Sequence, residues 1–135
     1  MDKFLITIFS IFCGAVGFLF TNFWFQPILR YRQIKSQIIS DIVFYANAIN
    51  PENLNDEMKQ RVIDRMVSNR KHSADLTACF YNLPSFYRFY LRKRGEKPDF
   101  ASREFMGLSN TTEYESANRR IDKIQELLKI IPKVD

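Results

Sequence analysis

The sequence predicts an all-α protein, in which an N-terminal transmembrane helix is followed by a small cytoplasmic helical bundle. Residues 4–29 carry no formal charge and are rich in phenylalanine. The rest of the chain is polar, and its apolar residues recur every three or four positions instead of alternating as in a strand. We therefore divide the chain into an anchor, residues 1–29, and a basic all-helical cytoplasmic domain, residues 30–135, which is long enough for one small core.

The apolar stretch, residues 4–29, is long enough to cross a bilayer. At about 1.5 Å per residue it would extend roughly 39 Å as a helix, whereas a hydrocarbon core is about 30 Å thick. We place the span from Phe4 to about Phe23, with Trp24 and Phe25 in the headgroup layer, where aromatic side chains concentrate. Pro27 follows and lacks an amide N–H, so it either kinks the helix or starts a new one.

The charges that flank the span predict its orientation. Arg30, Arg32 and Lys35 follow the span, whereas Lys3 before it is offset by Asp2. The positive-inside rule then puts the N-terminus outside and the C-terminal domain in the cytoplasm. A cleaved signal peptide is the alternative, but the apolar run is long and its start is nearly neutral, so we favour an uncleaved anchor.

Small residues inside the span predict a surface for self-association. Ser10, Gly14 and Gly17, together with Cys13, form two small-xxx-small pairs, which allow two helices to approach closely. The alternative is that glycine is simply frequent in membrane helices. A homo-oligomer is accordingly one of the assemblies that we expect.

The first helix of the domain is predicted from Ile28 to Ile49, continuing out of the anchor. It ends there because Asn50 precedes Pro51, and a residue before proline avoids the helical region. Val43 and Phe44 widen its apolar stripe, which predicts a turn that is buried on more than one side. The stripe itself consists of Tyr31, Ile34, Ile38, Ile42, Tyr45 and Ile49.

A second helix is predicted to begin where Asn53 or Asn55 can cap it, with Asp56 and Glu57 in its first turn. The polar run 69–73 predicts a break or an exposed bend near Lys71. The helix ends before Pro84.

Two short helices and one longer helix complete the predicted domain. The first spans Ser85–Lys93 and is closed by Gly95, and the second spans Phe100–Met106, between a capping Asp99 and Gly107. The last helix begins at one of two capping boxes, Asn110 with Glu113 or Thr112 with Glu115, and ends at Pro132. Its apolar seam is Tyr114, Ala117, Ile121, Ile124, Leu128 and Ile131.

The segment 86–97 interleaves aromatic and basic side chains, and the net charge of the chain is +5. Three interpretations are open: a core helix with a basic outer face, a helix in the lipid headgroup layer, or a surface that stacks on nucleic-acid bases. Core packing is favoured, and lipid ranks above nucleic acid because the anchor already holds the domain at a membrane. The cations expected to bind lipid or a partner are Arg30, Arg32, Lys35, Arg88, Arg92, Lys93 and Arg94.

The sequence contains no motif that would support catalysis. His72 is the one histidine, and its polar neighbours predict a solvated surface position. Cys79, beside Phe80, is predicted to be a buried free thiol. No cluster has the spacing of metal ligands, no glycine-rich loop could hold a phosphate, and no pair of acids suggests acid–base chemistry. We therefore expect no metal, no cofactor and no enzymatic activity.

Several short segments resemble a family of small bacterial proteins of uncharacterised function, which have one N-terminal membrane helix and a helical cytoplasmic domain. The segments are FYAN (44–47), SADL (73–76), LP (83–84), ASREFMGLSN (101–110) and LLKI (127–130), and their order carries the resemblance. It implies the same fold and a place in the bacterial inner membrane. It also implies one polar cluster, formed by Tyr45, Asn47, Ser73, Asp75 and Asn110; the alternative is that these residues only cap helices and satisfy backbone groups.

Taken together, these patterns predict a membrane-anchored, non-enzymatic interaction or regulatory protein that holds a basic helical domain at the inner leaflet. Its expected partners are the lipid bilayer, a second copy of itself or another protein, with nucleic acid disfavoured. One alternative is a membrane-active effector, or an accessory protein of a prophage or of phage defence, that acts by oligomerisation of the span. Another is a protein that binds anionic lipid or nucleic acid through residues 86–97.

Overall fold

The computed structural model describes residues 2–46 and 55–130, and every regular element within these ranges is helical. The all-α prediction is therefore confirmed for this part of the chain. In order, the elements are α1 (Asp2–Phe20), a π-helical turn (Thr21–Phe25), α2 (Gln26–Phe44), α3 (Asp56–Asn82), α4 (Ser85–Lys93), α5 (Pro98–Ser109) and α6 (Tyr114–Leu127). Of the predicted positions, Asn47, Ile49, Asn53, Ile131 and Pro132 lie outside the described residues.

Helix α1, the π-helical turn and α2 form one continuous helix, so Pro27 does not break it. A proline inside an α-helix lacks the N–H donor and its ring clashes with the carbonyl four residues earlier. The wider turn Thr21–Phe25 lies just before Pro27, and the N–H of Gln26 bonds to the carbonyl of Thr21, five residues back. A π-turn of this kind is a known way to absorb a local insertion or a missing hydrogen bond in a helix.

In the N-terminal part of this long helix, every side chain from Lys3 to Gln26 is exposed. The continuous helix Lys3–Phe44 has 42 residues, or about 63 Å, and is long and apolar enough to cross a membrane.

Helix α2 buries the predicted stripe only in part. Tyr31, Ile34 and Ile38 are buried, and Ile42 packs against the edge of the same core. The helix ends at Phe44, and the last bond of its backbone ladder runs from the N–H of Tyr45 to the backbone carbonyl of Asp41. The predicted end at Ile49 is therefore wrong. The expected burial of Val43 and Phe44 is also wrong, because both side chains are largely exposed.

Helix α3 is the central helix of the packed domain and lies between α2 and α5. Asn55 caps it as predicted, with its side-chain carbonyl accepting the N–H of Met58. The predicted break near Lys71 is wrong, since α3 runs without interruption from Asp56 to Asn82. Of the polar residues that suggested a break, Asn69, His72 and Ser73 are buried, whereas Arg70 and Lys71 are exposed on the other side of the same continuous helix.

Helices α2 and α3 run antiparallel. At one end, the Sγ of Cys79 lies 3.8 Å from the backbone oxygen of Pro27. At the other end, Ser68 donates a hydrogen bond to Asp41. We call the first the exit end, because the apolar helix leaves the domain there, and the second the far end. Because α3 ends at the exit end, the residues that follow it, around Pro84, lie close to the end of the apolar helix.

Helices α4 and α6 both end in the hydrogen-bond pattern of a Schellman cap. Gly95 closes α4 as predicted, in the left-handed conformation with a φ of 73°. Helix α6 ends at Leu127 and is closed by Lys129 with a φ of 51°, so the predicted end at Pro132 is wrong. The two ends meet where the N–H of Lys97 donates to the carbonyl of Leu127 at 2.8 Å.

Helix α5 is longer than predicted. Pro98 occupies its first turn, Asp99 is a first-turn acid instead of the cap, and Gly107 lies inside the helix instead of closing it. A Cβ at Gly107 would overlap the guanidinium of Arg120, so the absence of a side chain at position 107 leaves room for Arg120 of α6. Neither predicted capping box forms on α6, where Glu113 is the cap residue and its side chain accepts from the hydroxyl of Ser116 instead of capping a backbone N–H.

The core lies where α2, α3, α5 and α6 meet. Leu76 and Phe80 of α3 contribute to it, with the N-terminal half of α2 on one side and α5 on the other. The buried members from the last two helices and the segment after them are Ala101, Phe105, Leu108, Ala117, Ile124, Leu128 and Ile130.

Candidate functional site

Aromatic rings connect α4 to the end of the apolar helix. The ring of Trp24 lies 4.5 Å from that of Phe20 and 5.6 Å from that of Phe86, measured between centroids. Tyr31 and Tyr87 make a second contact, edge to face at 6.4 Å. Helix α4 therefore lies beside the exit end, at the level where the charge-free stretch gives way to the polar part of the chain.

Helix α4 presents one aromatic face to the surroundings. Phe86, Phe89 and Tyr90, which we call the aromatic face, keep 53%, 70% and 45% of their surface exposed. On the opposite side Leu91 is buried and Tyr87 packs against the core. The expectation that this segment is a core helix is thus wrong for three of its four aromatic residues. Helical spacing indicated an amphipathic helix but not which apolar side faces inward.

The cations of this region are divided between the surface and an internal ion pair. Arg92, Lys93 and Arg94 of the α4 end are exposed, and so are Arg30 and Arg32 at the start of α2. Arg88 is half-buried and donates to Ser85. Arg94 folds over Tyr90 and donates to its hydroxyl at 2.9 Å.

Lys35, which was expected among the exposed cations, instead binds a buried carboxylate. Its Nζ lies 2.7 Å from the Oε1 of Glu96, which also accepts a hydrogen bond from the hydroxyl of Tyr31. Glu96 follows Gly95 and is turned into the core by the cap of α4. Burial, and then the bond to Glu96, raises the pKa of Tyr31 above its ordinary value. This contact joins α2 to the α4–α5 connection.

His72 is buried, with 4% of its surface exposed, so the predicted surface position is wrong. Its ring packs 5.5 Å from that of Phe105, and its Nε2 lies 2.8 Å from Asp41 Oδ2 and 3.3 Å from Ser68 Oγ. The i, i+4 spacing of Ser68 and His72 was the only sequence signal for this group, since Asp41 comes from another helix.

These three residue types occur in hydrolytic triads, but their arrangement here differs. A triad requires the acid and the nucleophile on opposite ring nitrogens of the histidine, so that the proton passes between them. Here Asp41 and Ser68 share Nε2, and Nδ1 has no partner among the described residues. The group joins α2 to α3 at the far end and has the geometry of a structural contact.

A second buried polar residue continues this row of α3. Arg65 is buried and donates from Nη2 to the carbonyl of Thr111 at 2.9 Å. Its Nε and Nη1 have no hydrogen-bond partner in the described part of the chain. Burial lowers the pKa of this guanidinium. Arg65 thus connects α3 to the turn between α5 and α6.

The polar cluster implied by the family resemblance is not assembled. Ser73 donates to the carbonyl of Ser102 inside the α3–α5 contact, whereas Asn110 receives a bond from Arg70 on the surface. Tyr45 packs against Phe44 at the end of α2. Asp75 lines a groove on the opposite side of α3, and Asn47 lies outside the described residues.

The predicted association surface of the span is fully exposed. Nothing lies within 4 Å of where a Cβ would stand at Gly14 or Gly17, and Ser10 donates its hydroxyl to the carbonyl of Ile6 in its own helix. Within residues 2–46 and 55–130, no group of three or more His, Cys, Asp or Glu side chains could hold a metal ion.

No protein-family model, curated protein or solved structure matches this chain significantly. Within residues 2–46 and 55–130 the chain is all-helical, and one helix there, at the N-terminus, is long and apolar enough to cross a membrane.

Proposed function

We propose that this chain is a single-pass protein of the bacterial inner membrane that holds a basic helical domain against the cytoplasmic leaflet. It acts by binding and not by catalysis. One observation carries the proposal: the exposed aromatic face of α4 touches Trp24 at the end of the apolar helix. A membrane that contains α1 therefore meets α4 at its surface.

The exposure of the aromatic face has a physical explanation at a membrane surface. Apolar area removed from water stabilises by roughly 25 cal/mol per Å², and aromatic side chains favour the headgroup region. The neighbouring Arg92 and Lys93 would each contribute about 1 kcal/mol next to anionic lipid. Stacking on nucleic acid would use the same residue types, but it would not explain why Phe86 contacts Trp24 at the end of the apolar helix.

The orientation follows from the exposed cations beside the span. Arg30 and Arg32 both remain free of ion pairs within the described residues, on the side where the domain lies. The positive-inside rule places such a flank in the cytoplasm. The bacterial inner membrane is the location that the resemblance carried by segments such as ASREFMGLSN (101–110) implies.

The depth of single tryptophans in a bilayer tests this proposal, because Trp24 is the only tryptophan in the chain. The full chain is reconstituted into vesicles that contain phospholipid brominated near the headgroup end of its acyl chains. We expect quenching of Trp24 itself. We also expect quenching of a tryptophan introduced by Phe89→Trp in a Trp24→Phe background.

Tyr114→Trp in the same background is the matched control, because Tyr114 is an exposed aromatic residue at the far-end side of α6. It should remain unquenched. Quenching of Trp24 without quenching at position 89 would contradict the membrane contact of α4, but it would still agree with a membrane anchor. Absence of quenching at position 24 would contradict the anchor as well.

A second candidate function is a membrane-active effector that works by oligomerisation of the span. The observation in its favour is the open surface around Gly14 and Gly17. Gly14→Leu would fill that surface and should abolish both crosslinking between spans and any growth inhibition on expression. Val16→Leu, on an exposed position outside this surface, should leave both unchanged. Growth inhibition that survives Gly14→Leu would exclude this function.

A further inference from the structure

A polar groove of about 740 Å³ lies between α2 and α3 at the exit end. Amide side chains line it along the π-helical turn and α2, at intervals of one or two helical turns, and α3 contributes charged and amide groups from the facing side. The amides on the anchor side are Asn22, Gln26, Gln33 and Gln37. We call this the polar groove; none of the activities considered above uses it.

Charges of both signs line the polar groove. Arg30 comes from α2, and Lys71 and Asp75 come from adjacent turns of one side of α3. The thiol of Cys79 lies among them: its pKa is raised mainly by burial, while the charge of Arg30 lowers it and that of Asp75 raises it. Both charges therefore act on the same point of the groove. A ligand that complements it carries an anionic and a cationic group.

The polar groove continues into an apolar surface. Phe23 lines both the groove and a shallow depression on the apolar helix, whose other members are Val16, Leu19, Phe20 and Trp24. A ligand that occupies both has a charged head and an apolar tail. Because the depression lies in the charge-free stretch, the tail would lie among the acyl chains of a bilayer.

We propose that the polar groove binds the headgroup of one aminophospholipid, with its phosphate between Arg30 and Lys71 and its ammonium group at Asp75. An acyl chain lies in the depression from Val16 to Phe23. Guanidinium and ammonium groups are the usual protein partners of a phosphate, and a carboxylate is the usual partner of an amine. This inference rests on the proposed membrane location of α1.

Lipid retention in detergent tests the proposal separately from the membrane contact of α4. The full chain is purified in mild detergent and titrated with dioleoylphosphatidylethanolamine or dioleoylphosphatidylglycerol, and bound lipid is counted by native mass spectrometry. We expect one tightly held phosphatidylethanolamine. The double variant Arg30→Gln/Lys71→Gln should bind both lipids about tenfold more weakly, since it removes both phosphate partners.

The matched control is Arg32→Gln/Arg70→Gln, which removes two charges from the same two helices at exposed positions that do not line the polar groove. It should change either affinity by less than about twofold, in line with the small energies of exposed charges. Asp75→Asn should weaken phosphatidylethanolamine and spare phosphatidylglycerol. Circular dichroism checks that each variant keeps its helix content.

Three results would overturn the proposal. The first is equal loss of lipid in the groove variant and in its control. The second is equal sensitivity of both lipids to Asp75→Asn, which would remove the ammonium site. The third is displacement of the lipid by soluble phosphoethanolamine at the same concentration as the lipid itself, which would make the groove a site for a small soluble ligand. The tryptophan experiment on position 89 is independent of all three.

Discussion

The two halves of the long N-terminal helix share one backbone and differ in what surrounds them. From Lys3 to Gln26 every side chain is exposed and most are apolar, whereas α2 buries Tyr31, Ile34 and Ile38 on one face. A helix that is apolar all round is typical of a membrane span or of the interior of a large protein, whereas a helix with one apolar face buries that face and exposes the other. The change occurs at the π-helical turn before Pro27, where α4 and the polar groove also lie.

The largest expected effect is a difference in how much an alanine substitution in each half of the helix lowers the unfolding free energy. Ile38→Ala should lower the unfolding free energy of the domain by about 4 kcal/mol, because it leaves a cavity in the core. Phe12→Ala, in the apolar half, should change it by less than about 0.5 kcal/mol. Denaturant unfolding of the full chain in micelles, followed by circular dichroism, measures both.

Ile39→Ala is the matched control for this prediction. It removes the same atoms from the neighbouring residue, whose side chain is 43% exposed. It should cost less than about 1 kcal/mol. Equal costs at positions 38 and 39 would mean that α2 does not pack with the face that contains Tyr31, Ile34 and Ile38.

The next effect concerns the buried ion pair that only the second half of the helix makes. Glu96→Ala should lower the unfolding free energy by about 3 kcal/mol, because it leaves Lys35 and the hydroxyl of Tyr31 without their partner. Glu126→Ala, an exposed acid on α6, should cost less than about 0.5 kcal/mol. Similar values for the two variants would contradict the buried position of Glu96.

The same contact predicts a pH dependence at alkaline pH. Burial and the bond to Glu96 raise the pKa of Tyr31 in the folded chain, while in the unfolded chain the phenol titrates near 10. Above pH 10 the unfolded state therefore loses a proton that the folded state keeps. This contribution to stability is complete below pH 10 and is lost as the pH rises, by about 1.4 kcal/mol per unit.

The unfolding free energies of the wild-type chain and of Tyr31→Phe are measured at several pH values above 10. The difference between the slopes of the two free energies against pH is the contribution of Tyr31. Tyr31→Phe should remove it. Tyr81→Phe, which removes an exposed hydroxyl, should keep the wild-type slope. A wild-type slope in Tyr31→Phe would show that another group is responsible.

The smallest effect is expected at the junction of the two halves. Pro27→Ala restores a backbone N–H and should favour a regular α-helix through residues 21–27, with a gain below about 1 kcal/mol. Hydrogen exchange should become slower for amides at residues 24–31 and stay unchanged in α6. Faster exchange around position 27 would contradict the continuity of the helix.

Local signals predicted much of this fold. The charge-free stretch predicted the apolar helix, the spacing of Tyr31, Ile34 and Ile38 predicted the buried face of α2, and Gly95 predicted the end of α4. Each of these depends on residues close together in the chain. These three predictions are correct because the spacing of apolar residues and the conformation of a glycine depend on only one or two helical turns.

The predictions from sequence are wrong at residues whose neighbours belong to another helix. The polar neighbours of His72 predicted solvent, but Asp41 and Phe105 enclose it. Gly107 suggested a helix end, but it makes room for Arg120 of α6. The far end of the domain could not be assembled from sequence spacing, because its partners lie about thirty residues apart in the chain.

The sequence by itself determined that this chain is helical, that one helix is long and apolar enough to cross a membrane, and where basic residues flank it. These properties follow from composition and from order along the chain. Tertiary structure decided which side of α4 faces inward, which cation pairs with Glu96, and that a polar groove adjoins the apolar helix. The physical reason is that an amphipathic helix has a defined apolar face but no defined neighbour. The antiparallel return of α3 supplies that neighbour by bringing α4 to Trp24 and Asp75 to the side of Arg30.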